Sequence, residues 1–250
     1  MSSVVEFNNK CSEPDEKACS SIFIGGIEKF SVVDYPGKIS AVVFLKGCPW
    51  RCPFCYNTHL QKLDNETNFF WHQFKNFLEK RKGILDAVVF SGGEPLMQKK
   101  IVGAIQEVKA LGFQIGVHTG GYYPETLKEI IPLVDWVGFD VKAPFEKERY
   151  KKSVGGVESL DKTIQSLQVL LDSKVNFETR TTCDPRILSI EDIYTIAKDL
   201  KLRGVRKYNL QRYRQVQGDN TPDEECEKFF NDEKLRDFLE ASFEVVEFRR

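Results

Sequence analysis

AVVFLKGCPWRCPFCYN, residues 41–57, runs an apolar segment straight into a loop that holds three cysteines within eight residues. The first part, 41–47, has the continuous apolar character of a strand buried inside a sheet. The second part cannot continue that strand, because prolines at 49 and 53 interrupt the backbone donors a ladder needs. The reading of everything downstream depends on how often this strand-then-polar-loop unit recurs.

It recurs six times. Apolar strand-like runs lie at 41–47, 86–90, 113–119, 136–142, 175–183 and 205–213, with a last short one at 244–248. Helical spacing appears between them at 68–82, 99–112, 124–134, 156–173, 189–204 and 232–243. In 68–82 the residues Phe69, Phe70, Phe74, Phe77 and Leu78 share one side, and 99–112 stops at Gly112, a residue suited to the left-handed end of a helix. Pro124 is placed for the first turn of its helix. Strand-helix alternation of this kind builds a parallel sheet covered by helices. Upstream, 23–40 reads as a strand pair with turns at Gly25-Gly26 and Pro36-Gly37, and 1–20 as a polar, mobile tail ahead of a domain over 21–250. Six units are fewer than the eight of a closed barrel. Periodicity is compatible with an open, curved partial barrel and with a flat doubly wound sheet.

Composition narrows the class. The chain has 250 residues, long enough to bury a core without staples. Apolar residues make up 41%, charged residues 29%, and the formal net charge is −1, so no global basic excess points to nucleic acid or an anionic membrane. No stretch approaches the length of a membrane span and the first residues lack a signal pattern, which leads us to expect a cytoplasmic protein. Seven cysteines, three of them crowded together, favour metal binding or catalysis over disulfides in a reducing compartment.

In parallel α/β sheets ligands sit at the C-terminal ends of the strands. Those ends carry the polar residues here: the cysteine loop after the first unit's strand, SGGEP (91–95) after the second, and His118, Thr119 and two glycines at the third. Asp140 and Lys142 end the fourth, Arg180 and Thr-Thr-Cys the fifth, and Gln211, Tyr213 and Arg214 the sixth. We read them as one site organised by the cysteines.

Cys48, Cys52 and Cys55 have the spacing C-x3-C-x2-C. Structural zinc wants four closed ligands, commonly as two C-x2-C pairs, and the second pair is missing because Cys11, Cys19, Cys183 and Cys226 are single. Ordinary core cysteines are a poor account of a loop broken by Pro and Trp. An iron–sulfur cubane usually takes four thiolates, so three leave one iron open, and an open coordination position is where a metal site does chemistry.

The loop resembles the signature of the radical S-adenosylmethionine superfamily, with Phe54 as the aromatic before the last cysteine. The resemblance implies a partial (β/α)6 barrel with an N-terminal strand extension, and a [4Fe-4S] cluster on Cys48, Cys52 and Cys55. The open iron would bind the amino and carboxylate groups of S-adenosylmethionine, whose reductive cleavage releases a 5'-deoxyadenosyl radical. It also implies that Gly92, Gly93 and Glu94 meet the cofactor's amino group, Glu94 through a charge-assisted contact. Within the superfamily, GGIEKFSVVDYPGKISAVVFLKGCPWRCPFCYN (25–57), SGGEPLMQ, GVHTGGYYPETLKEI, VDWVGFDVKAP, FETRTTCDP and YNLQRYR resemble, in order, the anaerobic ribonucleoside-triphosphate reductase activating protein family. The resemblance spans about 22–215. It implies a glycyl radical placed on a partner enzyme, the anaerobic ribonucleotide reductase, and a flavodoxin or ferredoxin as electron donor.

The same resemblance makes His118, Thr119, Asp140, Lys142, Arg180 and Gln211 cofactor contacts, with Tyr56 and Asn57 lining an adenine pocket. Asp140 and Lys142, two apart on a strand, point to one face. No cysteine lies between Cys55 and the 86–90 strand, so a single cluster is expected. Cys183 and Cys226 are given no ligand role, and the basic residues Arg203, Arg206, Lys207, Arg212 and Arg214 read as a solvated face. Two other functions compete: a radical enzyme acting on a small molecule or peptide, and a zinc-stabilised binding module without catalysis.

Overall fold

The computed structural model describes residues 22–64, 67–216 and 218–250, so the tail expected over 1–20, with Cys11 and Cys19, lies outside the described residues. The described chain carries eight strands: β1 Ile24–Ser31, β2 Ser40–Leu45, β3 Ala87–Gly92, β4 Gln114–Thr119, β5 Trp136–Asp140, β6 Asn176–Cys183, β7 Lys207–Arg212 and β8 Val245–Arg249. Its α-helices are α1 Trp71–Glu79, α2 Ile101–Ala110, α3 Pro124–Ile130, α4 Lys147–Ser153, α5 Leu160–Asp172, α6 Ile190–Leu202, α7 Asp223–Asn231 and α8 Glu233–Ser242.

The strands form one sheet in the order β1 to β8, with β1 antiparallel to β2 and the β2–β3, β3–β4, β6–β7 and β7–β8 pairs parallel. A doubly wound sheet reverses its order at a switch point. This one advances in one direction, so the doubly wound alternative falls and the N-terminal strand extension stands.

Three local expectations need correcting. Gly25 and Gly26 do not turn the chain; they lie inside β1 beside a register shift, where a Cβ on Gly25 would run into the Leu60 side chain. The turn at Pro36-Gly37 is present, with Gly37 at φ 70°. The 68–82 helix begins only at Trp71, with Phe70 as its extended N-cap, so Trp71, Phe74 and Leu78 form the buried stripe in place of the Phe69–Phe70 start. Helices α4 and α7 were not expected. α4 has one apolar residue, Tyr150, among KERYKKS, too little for periodicity to register. α7 did carry a signal, since Cys226, Phe229 and Phe230 are buried at helical spacing behind an acidic first turn.

By internal contacts the chain divides into two compact units. The first takes the described residues up to Pro49, then His59–Thr119 and Glu125–Val137. Its core is apolar: Ala41–Val43, Leu45 and Ala87–Phe90 are fully buried, and Trp71, Phe74 and Leu78 with Ile101, Ala104, Ile105 and Val108 supply the helix faces. Each fully buried side chain of this size is worth roughly 1.5–3 kcal/mol. Trp71 Nε1 donates to Glu107 Oε2 at 2.8 Å, which satisfies the indole where α1 and α2 meet. On the other face of β3, Ala87 and Val89 pack with Tyr35, Val42 and Trp136.

The second unit takes Trp50–Thr58, Gly120–Pro124 and Gly138–Arg250. Its strands are more polar. β6 buries Glu178, Thr179, Arg180 and Thr181, each with a partner. Thr181 Oγ1 donates to the Val141 carbonyl at 2.9 Å and accepts from the Tyr208 hydroxyl at 2.9 Å. The Arg249 guanidinium forks onto Glu178 at 2.6 and 2.9 Å. α6 starts at a capping box in which Ser189 and Asp192 bond each other's backbone N–H.

Candidate active site

The boundary between the two units falls inside the cysteine loop, after Pro49. In the first unit, β2 ends at Leu45 and Gly47, at φ 94°, turns the chain. Backbone bonds then fix the exit, with Gly47 N on the Leu60 carbonyl at 2.7 Å and Cys48 N on the Gln61 carbonyl at 3.0 Å. The buried Gln98 amide closes the same corner, donating to the carbonyls of Phe23 and Lys46 at 2.9 and 2.8 Å and accepting from Phe23 N at 2.8 Å.

The Gly-Gly-Glu turn lies against this exit. Gly92, at φ 123°, is the last residue of β3, and a Cβ there would strike the Leu45 backbone. A Cβ on Gly93 would lie 3.1 Å from the Cys48 Cβ. Their neighbours' carbonyls accept from the turn: Gly93 N reaches Leu45 O and Glu94 N reaches Gly47 O, both at 2.9 Å. The turn's glycines thus let two backbones touch beside Cys48. Glu94 is buried, and its Oε1 accepts from Thr119 Oγ1 at 2.7 Å and Leu96 N at 3.2 Å. Two residues singled out separately in the sequence, Glu94 and Thr119, are therefore one hydrogen-bonded pair. His118 sits deeper, its Nε2 2.9 Å from the Asp34 carbonyl and its ring edge-on to Trp136 at 5.5 Å.

In the second unit Asp140 and Arg180 come together. Arg180 places Nε 2.9 Å and a terminal nitrogen 2.7 Å from Asp140 Oδ1. Lys142 Nζ lies 3.4 Å from Asp140 Oδ2, and 5.4 and 5.5 Å from the rings of Trp50 and Phe54. Arg180 is inside β6 rather than at its end, paired in register with Asn209, and Gln211 pairs with Thr182 and Arg249 on the same face.

Cys52 and Cys55 are half-buried, with Cys55 N donating to the Cys52 carbonyl at 3.1 Å. Burial pushes the Cys52 thiol up to about 11, against a smaller lowering from Lys142, so a bound cation is what would stabilise its thiolate. Between and beside them, Phe54 is buried with Tyr213 and Cys226, and Tyr56 stacks on Tyr213 at 6.4 Å while its hydroxyl accepts from Arg214 N. Asn57 is half-buried. Cys183 is fully buried, and burial raises its thiol.

Sequence reading missed Trp50, Asp184, Arg186 and Asp219. Trp50 lies in the cysteine loop, buried, packed on Gly120 and edge-on to Tyr122 at 5.9 Å. Arg186 follows the end of β6, where the strand-end rule would have found it.

The donor set is compatible with an iron–sulfur group. The three loop cysteines are in no disulfide and are half-buried, and thiolates of this kind are the usual protein ligands of such a group. Trp50 Nε1 is buried without a hydrogen-bond partner, and an orphaned donor in such a loop suits a bound acceptor. Among the described residues no group of three or more His, Cys, Asp or Glu side chains is gathered as a metal-ion site. Also among them, no helix is long and apolar enough to cross a membrane.

Comparison with known proteins agrees with this chemistry. The family model described as the Radical SAM superfamily matches residues 42–187, more than half of the chain. A Methanocaldococcus jannaschii protein provisionally named a glycyl-radical enzyme activating enzyme is 37% identical over 185 residues, covering 71% of this chain and 75% of that one. The pyruvate formate-lyase-activating enzyme of Listeria monocytogenes is 32% identical over 134 residues, 48% of this chain and 52% of its own. Streptococcus suis SuiB, in its crystal structure bound to S-adenosylmethionine, superposes with a TM-score of 0.60 at 12% identity over 84% of this chain, a likeness of fold. This chain spans about half of that structure, 46%. The chain belongs to the radical SAM superfamily.

Proposed function

We propose that this radical SAM enzyme is a glycyl-radical activating enzyme, with residues 21–250 as its working domain, and that its partner is the anaerobic ribonucleoside-triphosphate reductase. The observation that carries the reading is the C-x3-C-x2-C loop followed by Gly-Gly-Glu, in a chain similar over 185 residues to a relative bearing the activating-enzyme name. Resemblance of the successive strand-end segments to the reductase-activating family supports that partner.

Cys48, Cys52 and Cys55 would hold a single [4Fe-4S] cluster and leave one iron for S-adenosylmethionine. When bound, the cluster supplies the electron that breaks the sulfonium carbon–sulfur bond. The chain's own part is to bind and orient. Glu94 offers a carboxylate to the cofactor's ammonium, and Thr119, donating at 2.7 Å, fixes which way that carboxylate faces. Asp140 holds the Arg180 fork in place for a carboxylate or ribose. Tyr56 and Asn57 line the adenine side with Phe54 behind them, and His118, Lys142 and Gln211 complete the contacts. A flavodoxin or ferredoxin delivers the electron, in the cytoplasm.

The test is to mix the reconstituted, reduced protein with S-adenosylmethionine and the anaerobic reductase, and record the electron paramagnetic resonance spectrum. A glycyl-radical doublet that disappears when the acceptor glycine is replaced by alanine is expected. A doublet on pyruvate formate-lyase but not on the reductase would replace the partner and keep the class. Deoxyadenosine production with no doublet on either would favour a small-molecule or peptide substrate.

A further inference from the structure

The second unit contains a knot of charges that no step above uses. Arg186 forks onto Asp184, which is fully buried, with Nε 2.9 Å from Oδ1 and a terminal nitrogen 2.6 Å from Oδ2. Its other terminal nitrogen lies 3.1 Å from Asp219, and its guanidinium stacks on the Tyr213 ring at 4.6 Å. The Tyr213 hydroxyl donates to Asp219 at 2.5 Å. Burial first, and the Asp219 bond second, push that hydroxyl up to about 12, so it keeps the proton it donates.

The knot touches the cysteine loop at three residues. Arg186 donates to the Pro53 carbonyl at 3.4 Å, Phe54 packs with Tyr213, and Tyr56 stacks on the same ring. Pro53 and Phe54 lie between Cys52 and Cys55, and Tyr56 follows Cys55, so Cys55 is gripped on both sides. The loop has little secondary structure of its own to hold these residues. A forked, stacked guanidinium is suited to this task because its planar geometry fixes direction as well as charge.

We propose that Arg186 is a positioning residue that sets the placement of Cys52 and Cys55, but not of Cys48, for the cluster. The inference rests on the proposed role of those cysteines. Arg186 touches neither thiol; it acts through Pro53 and Tyr213.

The test uses the metal-free and the iron-loaded full chain. In the metal-free protein, alkylation rates of the individual cysteines are read by mass spectrometry for wild type, Arg186→Gln, Arg186→Lys and the Asp184→Asn/Arg186→Gln double variant. The double variant neutralises Asp184, the fully buried carboxylate that Arg186→Gln alone would strand, while Asp219 keeps its bonds from Tyr213 and Thr221, so it separates loss of position from loss of stability. Buried Cys183 is the internal monitor of unfolding. Cys52 and Cys55 are expected to react roughly tenfold faster in Arg186→Gln and in the double variant, with Cys48 and Cys183 at wild-type rates, as for local opening. Arg186→Lys, which keeps charge but not the fork, should fall between. In the loaded protein the reduced-cluster resonance of the double variant should broaden or shift relative to wild type.

Unchanged Cys52 and Cys55 rates relative to Cys48 in the double variant would overturn the proposal. So would a parallel rise of all four cysteines. If wild type takes up no iron while the thiol rates change as expected, the cluster reading fails and the positioning result stands apart from it.

Discussion

The two ends of the cysteine loop are held by different physics. At the Cys48 end the restraints are backbone hydrogen bonds and close backbone approach: Gly47 and Cys48 donate to Leu60 and Gln61, and Gly92 and Gly93 allow the β3 turn to lie against them. At the Cys52–Cys55 end Arg51 N donates to the Val154 carbonyl at 3.0 Å, and side chains add the rest of the restraint: the Arg186–Asp184–Asp219 knot, the Tyr213 ring, and Lys142 over Trp50 and Phe54. The first kind fails when atoms are added, because packed backbone cannot give way. The second fails when charge or a donor is removed, because a buried partner is left unpaired. A loop anchored in both ways has ends that respond to different substitutions.

That contrast can be broken by mutation. The largest effect is expected at Gly92. Gly92→Val puts a branched side chain at φ 123° against the Leu45 backbone, and should cost on the order of 4 kcal/mol in denaturant unfolding of the metal-free protein. A loss below about 1 kcal/mol would mean that the β3 turn yields and that the Cys48 end is not held by backbone shape. Asp140→Asn comes next. It leaves the buried Arg180 without its carboxylate, and because Asp140 is partly exposed the cost is discounted to about 2 kcal/mol. The conservative Asp140→Glu should recover part of it, whereas a neutral Asn variant would show that Arg180 finds another partner.

Trp50→Phe sharpens the comparison from the opposite direction. The indole N–H has no partner, so removing it costs no hydrogen bond, and the metal-free protein should lose only what the smaller ring leaves unpacked, about 1–2 kcal/mol, read as a modest fall in Tm. In the iron-loaded protein the same substitution should remove a donor and lower the reduction potential. A loss above about 3 kcal/mol in the metal-free protein, more than the missing ring accounts for, would mean that the N–H is already satisfied and has no role toward a bound group.

The order of strands and helices was legible because burial in the first unit follows apolar runs: Ala41–Leu45 and Ala87–Phe90 are nearly all buried. β6 was legible by position more than by hydropathy, since it buries Glu178, Thr179, Arg180 and Thr181 through partners on other elements. Those partners are distant in sequence, and nothing local announces them. The same holds for the site. Cysteine spacing and Gly-Gly-Glu could be read directly, but the Thr119–Glu94 and Arg180–Asp140 pairs became pairs only in three dimensions. Arg186 stands just past β6, where the strand-end rule points, but its partners at 53, 184, 213 and 219 are not announced by the sequence. The Gly25-Gly26 turn failed because glycine also marks irregular strand pairing, and β1 uses it there.

The central claim is that the three cysteines support reductive cleavage of S-adenosylmethionine. The measurement is anaerobic reconstitution of wild type and Cys52→Ala with iron and sulfide, reduction in the presence of S-adenosylmethionine, and quantitation of 5'-deoxyadenosine alongside bound iron, sulfide and zinc. The account expects iron with sulfide and deoxyadenosine in wild type, and neither a stable cluster nor product in Cys52→Ala. A colourless protein that binds zinc and yields no deoxyadenosine would contradict it and make the metal-stabilised binding module the better description.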